Sequence, residues 1–447
     1  MDNSLYNPFK TKLTHPIRRI IMVFLIISFF VISPLIILYT AGYRYNFEDK
    51  QIKQTGVVSV DVEPKNVEVW LNNIKIKKKI PIRLTNRAPG TYHLKIEKPG
   101  YKTWEKDITI SSNQTTYIKD ITLLNDDLPV QVPTNGQILE SIYGYAGSQN
   151  LILVSKSNDI YEVSTLDIQT EKITPILRTD AHTKTDISIS PFNSTAFVLT
   201  ESGIEKTLRL FSLDNTENPA TFSFFSATPL KYQWKKDGQS TNLYVQVGNA
   251  IQKLDSDKNK TTIANTFSKD WYIDNLEQLW TVEDNKLIQK ERDLKYTLEE
   301  NIERIVDISD KRIILQTENK TLVLVLDNEK KLQNTHHING KDLYYKSDTR
   351  EWWVWSQWEL SGIYEDGGVN LLNRSGKKIK DIKLLDQYGL VLFSTENGLA
   401  AFNPGYYTSH ELLNSSEIND IYVNLGTRQI YFLGQVANKE GLYKLEY

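Results

Sequence analysis

The chain has 447 residues, 40% of them hydrophobic, with 53 Lys and Arg against 55 Asp and Glu for a formal charge of −2. It contains no cysteine, which excludes disulfides, thiolate metal sites and a lipidated cysteine anchor. The length suits two or three domains with ordinary cores, and the acidic bulk argues against nucleic acid as a partner.

Residues 1–55 carry seven Lys/Arg and three Asp/Glu, residues 56–123 twelve and seven, and residues 124–447 thirty-four and forty-five. The net charges of these stretches are +4, +5 and −11. A basic module beside a membrane can lie against anionic headgroups or an anionic wall polymer. A solvated β surface rich in lysine gives the same composition.

The first element is apolar. Ile20 to Tyr43 holds no charged residue, and Lys10, Lys12, Arg18 and Arg19 precede it. Roughly 20 apolar helical residues cross a hydrocarbon core about 30 Å thick, so Ile20 to Tyr39 is long enough. The expected order is a cytoplasmic tail (1–19) and a transmembrane anchor (20–43) whose partner is the lipid bilayer. Everything after Arg44 is then extracytoplasmic, giving a single-pass cell-membrane protein. A removable signal peptide would have a shorter apolar run and a small-residue cleavage site, whereas bulky Tyr39 precedes Thr40-Ala41-Gly42. Pro34 is expected to kink the helix, Tyr39, Tyr43 and Tyr45 to form an interfacial belt, and Arg44 to snorkel to the headgroups.

Residues 44–55 read as a polar stalk. From Gly56 the period becomes two: Val58, Val60 and Val62 alternate with Ser59, Asp61 and Glu63. Pro64-Lys65-Asn66 marks a turn, and Asn72-Asn73 suits a tight hairpin with φ > 0. Pro89-Gly90 and Pro99-Gly100-Tyr101 mark further turns, and Tyr117 to Leu124 closes the module.

Glu63-Pro64, Asn72-Asn73, Ile80-Pro81-Ile82, Ala88-Pro89-Gly90-Thr91-Tyr92 and Lys98-Pro99-Gly100-Tyr101 together resemble a PEGA domain over residues 56–124. The resemblance implies a small β-sandwich of bacterial and archaeal surface proteins, acting as a spacer or surface binder without catalytic residues. Pro64-Lys65-Asn66-Val67 stands where the name-giving tetrapeptide would be, with Asn66 expected to take the left-handed conformation of its Gly.

Residues 125–137 read as a linker. Beyond it, strand groups recur about every 39 residues, eight times over 138–447. Such a period, with three or four short strands per unit, predicts a β-propeller of seven or eight blades. A pair of β-sandwiches or a β-helix is the alternative. Ser190-Pro191-Phe192-Asn193 and Trp234-Lys235-Lys236-Asp237-Gly238 resemble the strand-joining turn of WD40-like and TolB-type propellers, although no regular Trp-Asp dipeptide is present. The expected fold class is therefore all-β, a PEGA-like sandwich plus a propeller on one N-terminal helix.

Chemistry-bearing motifs are sparse. None of the six histidines has a metal-binding spacing, and His336-His337 reads as a surface loop pair. Asp255-Ser256-Asp257-Lys258-Asn259 begins like a calcium loop, but Lys260 and Thr266 stand where Gly and Glu are needed, so a polar hairpin is the better account. No nucleophile elbow, P-loop or dinucleotide fingerprint appears, so no catalytic residue, cofactor or metal is expected. The densest feature is Glu351 to Glu359, with Trp352, Trp353, Trp355 and Trp358 and with Tyr345 nearby. On a strand, Trp353 and Trp355 share one face and Trp352, Val354 and Trp358 the other. These five aromatics are the candidate ligand-binding residues, able to offer flat rings to a sugar or peptide. Burial on both sides is the competing account.

The expected function is a non-catalytic, membrane-anchored surface protein whose spacer presents a propeller to a cell-envelope protein or polysaccharide. The alternatives are a carbohydrate-active hydrolase or lyase, which needs two carboxylates at a defined separation, and a sensor or assembly factor signalling through its short tail.

Overall fold

The computed structural model describes residues 15–46, 51–157, 159–237, 240–268, 270–414 and 417–447. Two compact units divide between Leu124 and Asn125.

The first unit begins with the helix His15–Thr40, whose 26 residues span about 39 Å at 1.5 Å per residue. Its most apolar window has a mean hydropathy of 3.0 and buries nothing against protein. The helix runs through Pro34 as one element. Its end is capped locally. Ala41 N–H donates to the Ile37 carbonyl at 2.9 Å, and Gly42 sits at φ +81°. Arg44 Nη1 donates to the Tyr39 and Tyr43 carbonyls at 2.7 and 2.8 Å, and its guanidinium lies 3.7 Å from the Tyr39 ring centroid. Expected to reach for headgroups, Arg44 instead folds back, because free carbonyls and a favourable dipole await a cation at a helix C-terminus.

Residues 44–55, expected to be a stalk, carry a hairpin that pairs Tyr43–Asn46 with Gln51–Gln54. Thr55 N–H then donates to the Gly42 carbonyl at 2.9 Å, and Asn113 N–H to the Thr55 carbonyl at 3.0 Å. The chain thus returns to the helix end before the sandwich starts. A Cβ on Gly42 would lie 2.9 Å from Asn113 Oδ1, so a larger residue would crowd this junction.

Two sheets make the sandwich. In one, Gly56–Glu63 lies between antiparallel Ile82–Arg87 and parallel Thr115–Thr122. The other runs Ile74–Ile76, Glu68–Leu71, Gly90–Glu97, Trp104–Ile110. Val58, Val60 and Val62 are buried as their alternation predicts. Asn72 and Asn73 sit at φ +48° and +63°, the conformation a two-residue hairpin needs. Asn66 keeps a negative φ, since the bend at 64–66 needs no left-handed residue.

Among the described residues, the second unit contains eight four-stranded antiparallel sheets. Seven are consecutive meanders, here blades one to seven, at residues 139–180, 184–225, 231–265, 271–297, 304–339, 342–374 and 379–414. Blade eight joins Ile418–Asn424, Gln429–Val436 and Lys439–Glu446 to Val130–Gln131 from the start of the unit. The stretch 125–137 is thus not only a linker, because it supplies the strand that closes the ring. Two exposed strand residues carry no alternation, and only buried Val132 behind them shows that the segment is fixed.

The apolar clusters lie between successive blades. Phe197, Leu199 and Leu208 of blade two pack with Leu243 and Val245 of blade three. Leu151 and Leu153 of blade one pack with Tyr422 and Leu433 of blade eight. Each sheet is covered on both faces, so second strands such as Arg312–Gln316 and Val391–Thr395 are buried along their whole length. The first strand of blade eight touches the first strands of blades seven and one, which places first strands innermost around a closed ring. The fold is an eight-bladed β-propeller.

Candidate binding cleft of the propeller

The innermost strands, with their turns into the second strands and a few residues of the strands and turns beyond, build the site. Polar side chains lock neighbouring blades together there. The Gln233 amide donates to the Ile273 carbonyl at 3.0 Å and accepts from Ile273 N–H at 2.8 Å. Asp420 Oδ2 accepts from Ile142 N–H at 3.1 Å, where the edge of blade one is irregular. Tyr422 Oη donates to the Tyr145 carbonyl at 2.8 Å, joining blade eight to blade one.

Within the ring is a cleft of 1110 Å³ lined by blades two to six. An aromatic pair links the first and last of these blades. Phe192, in the turn after the inner strand of blade two, meets Tyr345 of blade six edge to face at 5.3 Å between centroids. Tyr345 in turn lies 4.9 Å from Trp352.

The charged lining is ordered. Asp307 accepts from Trp352 Nε1 at 3.0 Å, from Tyr272 Oη at 3.2 Å and from Arg312 Nη2 at 3.3 Å. Arg312 is 2% exposed and also donates to the Ile363, Tyr364 and Arg350 carbonyls. Glu277 is held by Lys253 and Tyr244, and its pKa is lowered, with the Lys253 hydrogen bond the largest cause. Glu365 pairs with Arg350 at 3.0 Å. Lys231 pairs with Asp270 at 2.7 Å. Arg304 is solvent-accessible yet enclosed, and loss of bulk water around it lowers its pKa. Burial raises the pKa of Tyr345, and raises that of Tyr232 with a smaller contribution from Asp186.

Farther round the ring, Asp342 and Asp420 have raised pKa values, first from burial and then from the Asp381 charge near both.

The five sequence candidates separate. Tyr345 and Trp352 line the cleft. Trp353 and Trp355 are 3% and 6% exposed and pack against Ile379, Ile382 and Phe393 of blade seven. They offer no open ring, because this is a second strand covered on both faces. Trp358, 51% exposed, sits on the turn between the second and third strands of blade six, away from the cleft lining. Phe192, Tyr272, Arg304, Asp307 and Arg312 line the cleft as well. Of these, only Phe192 stood in a motif singled out from sequence.

His336 and His337 lie on the outer strand Leu332–Asn339 of blade five rather than in a loop. Asp255 Oδ1 accepts from the Asp257 and Asn259 amides at 2.9 Å each, a polar hairpin turn. Gly238 of the second turn motif lies outside the described residues.

No curated protein sequence matches the chain. Among solved structures it is similar to the uncharacterized protein lmo1340 of Listeria monocytogenes EGD-e, at 13% identity and TM-score 0.38, over 68% of this chain and 91% of that one. It is similar to the dihydro-heme d1 dehydrogenase NirN in complex with DHE at 11% identity and TM-score 0.44, over 66% and 69%. A eukaryotic initiation factor matches at 8% identity and TM-score 0.40, over 72% and 94%. Residues 55–124 match the PEGA domain family.

Proposed function

We propose that the chain is a membrane-anchored extracytoplasmic binding protein. The helix tethers it with the N-terminus in the cytoplasm, the PEGA-like sandwich is the membrane-proximal spacer, and the propeller holds a cell-envelope protein or polymer in its cleft. The observation that carries this reading is the cleft itself: 1110 Å³, walled by half-buried rings and by charged groups. A binding role is favoured over a hydrolase or lyase because Glu277, Asp307 and Glu365 are each engaged by internal partners. A glycosidase acid or base needs a carboxyl turned to its substrate.

The test is the full chain expressed in cells. The protein should fractionate with membranes, and protease added to intact spheroplasts should remove the propeller. Purified in detergent, it should be retained by isolated cell envelope, and Trp352→Ala with Tyr345→Ala should release it. A protease-protected propeller, or retention unchanged by both substitutions, rejects the reading.

A further inference from the structure

We infer that the cleft selects an anionic glycan. This deepens the binding reading above and rests on it. The propeller as a whole is acidic, with thirty-four Lys/Arg against forty-five Asp/Glu over residues 124–447. Its cleft is the reverse. Lys231, Lys235, Lys236, Arg304, Arg312 and Arg350 line it against Glu277, Asp307 and Glu365. Asp270 neutralises Lys231, Glu365 neutralises Arg350, and Asp307 neutralises Arg312. Arg304 and Lys236 have no carboxylate partner among the described residues. Arg304 opens the inner strand of blade five, and Lys236 lies near the end of the inner strand of blade three, so the two stand toward opposite ends of the channel wall. A positive cleft with low-dielectric walls in a negative body focuses its field on an entering anion and repels like-charged groups.

The apolar surface between these cations is mostly ring. Ile305 and Ile308 are buried, whereas Trp234, Tyr345 and Trp352 stay half-exposed. The Trp352 indole is fixed by its bond to Asp307 and the Tyr345 ring by Phe192 and Trp352. Rigid flat rings stack on the C–H faces of pyranose sugars, and Arg and Lys hydrogen-bond carboxylate or phosphate groups along the chain. Rings and unpaired cations together fit a sugar chain that carries negative charge better than a neutral glycan.

The test uses the full chain in detergent with three probes: polygalacturonate, neutral dextran and poly-glutamate. The expected result is binding of polygalacturonate at least tenfold tighter than either of the others. Arg304→Gln and Lys236→Gln should each weaken it about tenfold without moving the melting temperature. Lys377→Gln, in the connection between blades six and seven and outside the cleft lining, should leave affinity unchanged and controls for overall charge. Equal binding of dextran, still lost in Trp352→Ala, overturns the inference and leaves the binding reading standing. Equal or tighter binding of poly-glutamate overturns it in favour of an acidic peptide. Binding insensitive to Arg304→Gln and Lys236→Gln overturns it as well. No binding of any probe, together with no retention on envelope, overturns both readings.

Discussion

Phe192 and Tyr345 meet edge to face at 5.3 Å although they come from blades two and six, which stand opposite each other in a ring of eight. A propeller of this size leaves a channel that its inner strands alone do not fill. One phenylalanine from a strand-joining turn reaches across it. An edge-to-face pair contributes about 0.5–1.5 kcal/mol beyond area burial. Phe192→Ala and Tyr345→Ala should therefore be non-additive, with a coupling energy of about 1 kcal/mol in a urea-denaturation double-mutant cycle. Additive costs would show that the rings meet without supporting each other.

Asp307 balances a guanidinium that is 2% exposed. Asp307→Asn keeps the shape and removes the charge. Breaking a buried pair from one side leaves an uncompensated ion, so stability should fall by about 3 kcal/mol in denaturant unfolding. Arg312→Met in the Asp307→Asn background should recover part of that loss. No recovery would mean that Asp307 matters for its bonds to Tyr272 and Trp352 instead.

The ring is closed by a very short strand. Val132 N–H donates to the Leu442 carbonyl at 2.8 Å, and its side chain is 2% exposed. Val132→Pro removes that donor and a buried contact, and should cost about 3 kcal/mol. It also frees the edge of Lys439–Glu446 for pairing with another molecule. Light scattering should then show more self-association than in the parent chain.

Burial and the nearby Asp381 charge raise the Asp342 pKa above its usual 3.8. The native carboxyl thus holds its proton at a higher pH than the unfolded chain does. Between 3.8 and the raised native value the folded state binds more protons, so this group's contribution to stability falls as pH rises through that window. Asp342→Asn should raise the melting temperature at pH 7, and the gain should vanish below the unfolded pKa. A gain that persists in acid would assign the effect to packing rather than charge.

The tryptophan segment should divide sharply under mutation. Trp353 is 3% exposed and Trp358 is 51% exposed. Trp353→Ala should cost about 4 kcal/mol, and Trp358→Ala should change stability by less than about 0.5 kcal/mol. Chemical denaturation of the two variants measures both. Equal costs would contradict the packing of blade six on blade seven.

Local features were legible in the sequence because their physics is local. The alternation of Val58, Val60 and Val62 marks a half-buried strand wherever it occurs. Two consecutive asparagines suit a tight hairpin whatever surrounds them. Apolar runs such as Leu151 to Val154 mark strands covered on both faces, and their recurrence marks blades. The cleft was much less legible. Of the five aromatics singled out, Tyr345 and Trp352 reach it, because a period of two separates the faces of a strand but does not say which face meets a neighbouring blade.

The sequence by itself determined a long apolar helix with a basic flank, an all-β remainder, a PEGA-like module and a repeat of propeller length. The helix and the β remainder follow from composition and local period, the repeat from recurrence along the chain, and the PEGA-like module from a resemblance carried by its turn motifs. Only the tertiary structure decided that Val130–Gln131 closes the eighth blade, that Arg44 caps its own helix, and that Phe192 of blade two meets Tyr345 of blade six. It alone showed a net positive cleft inside an acidic propeller. Those relationships join residues far apart in the chain, and ring closure sets which of them meet.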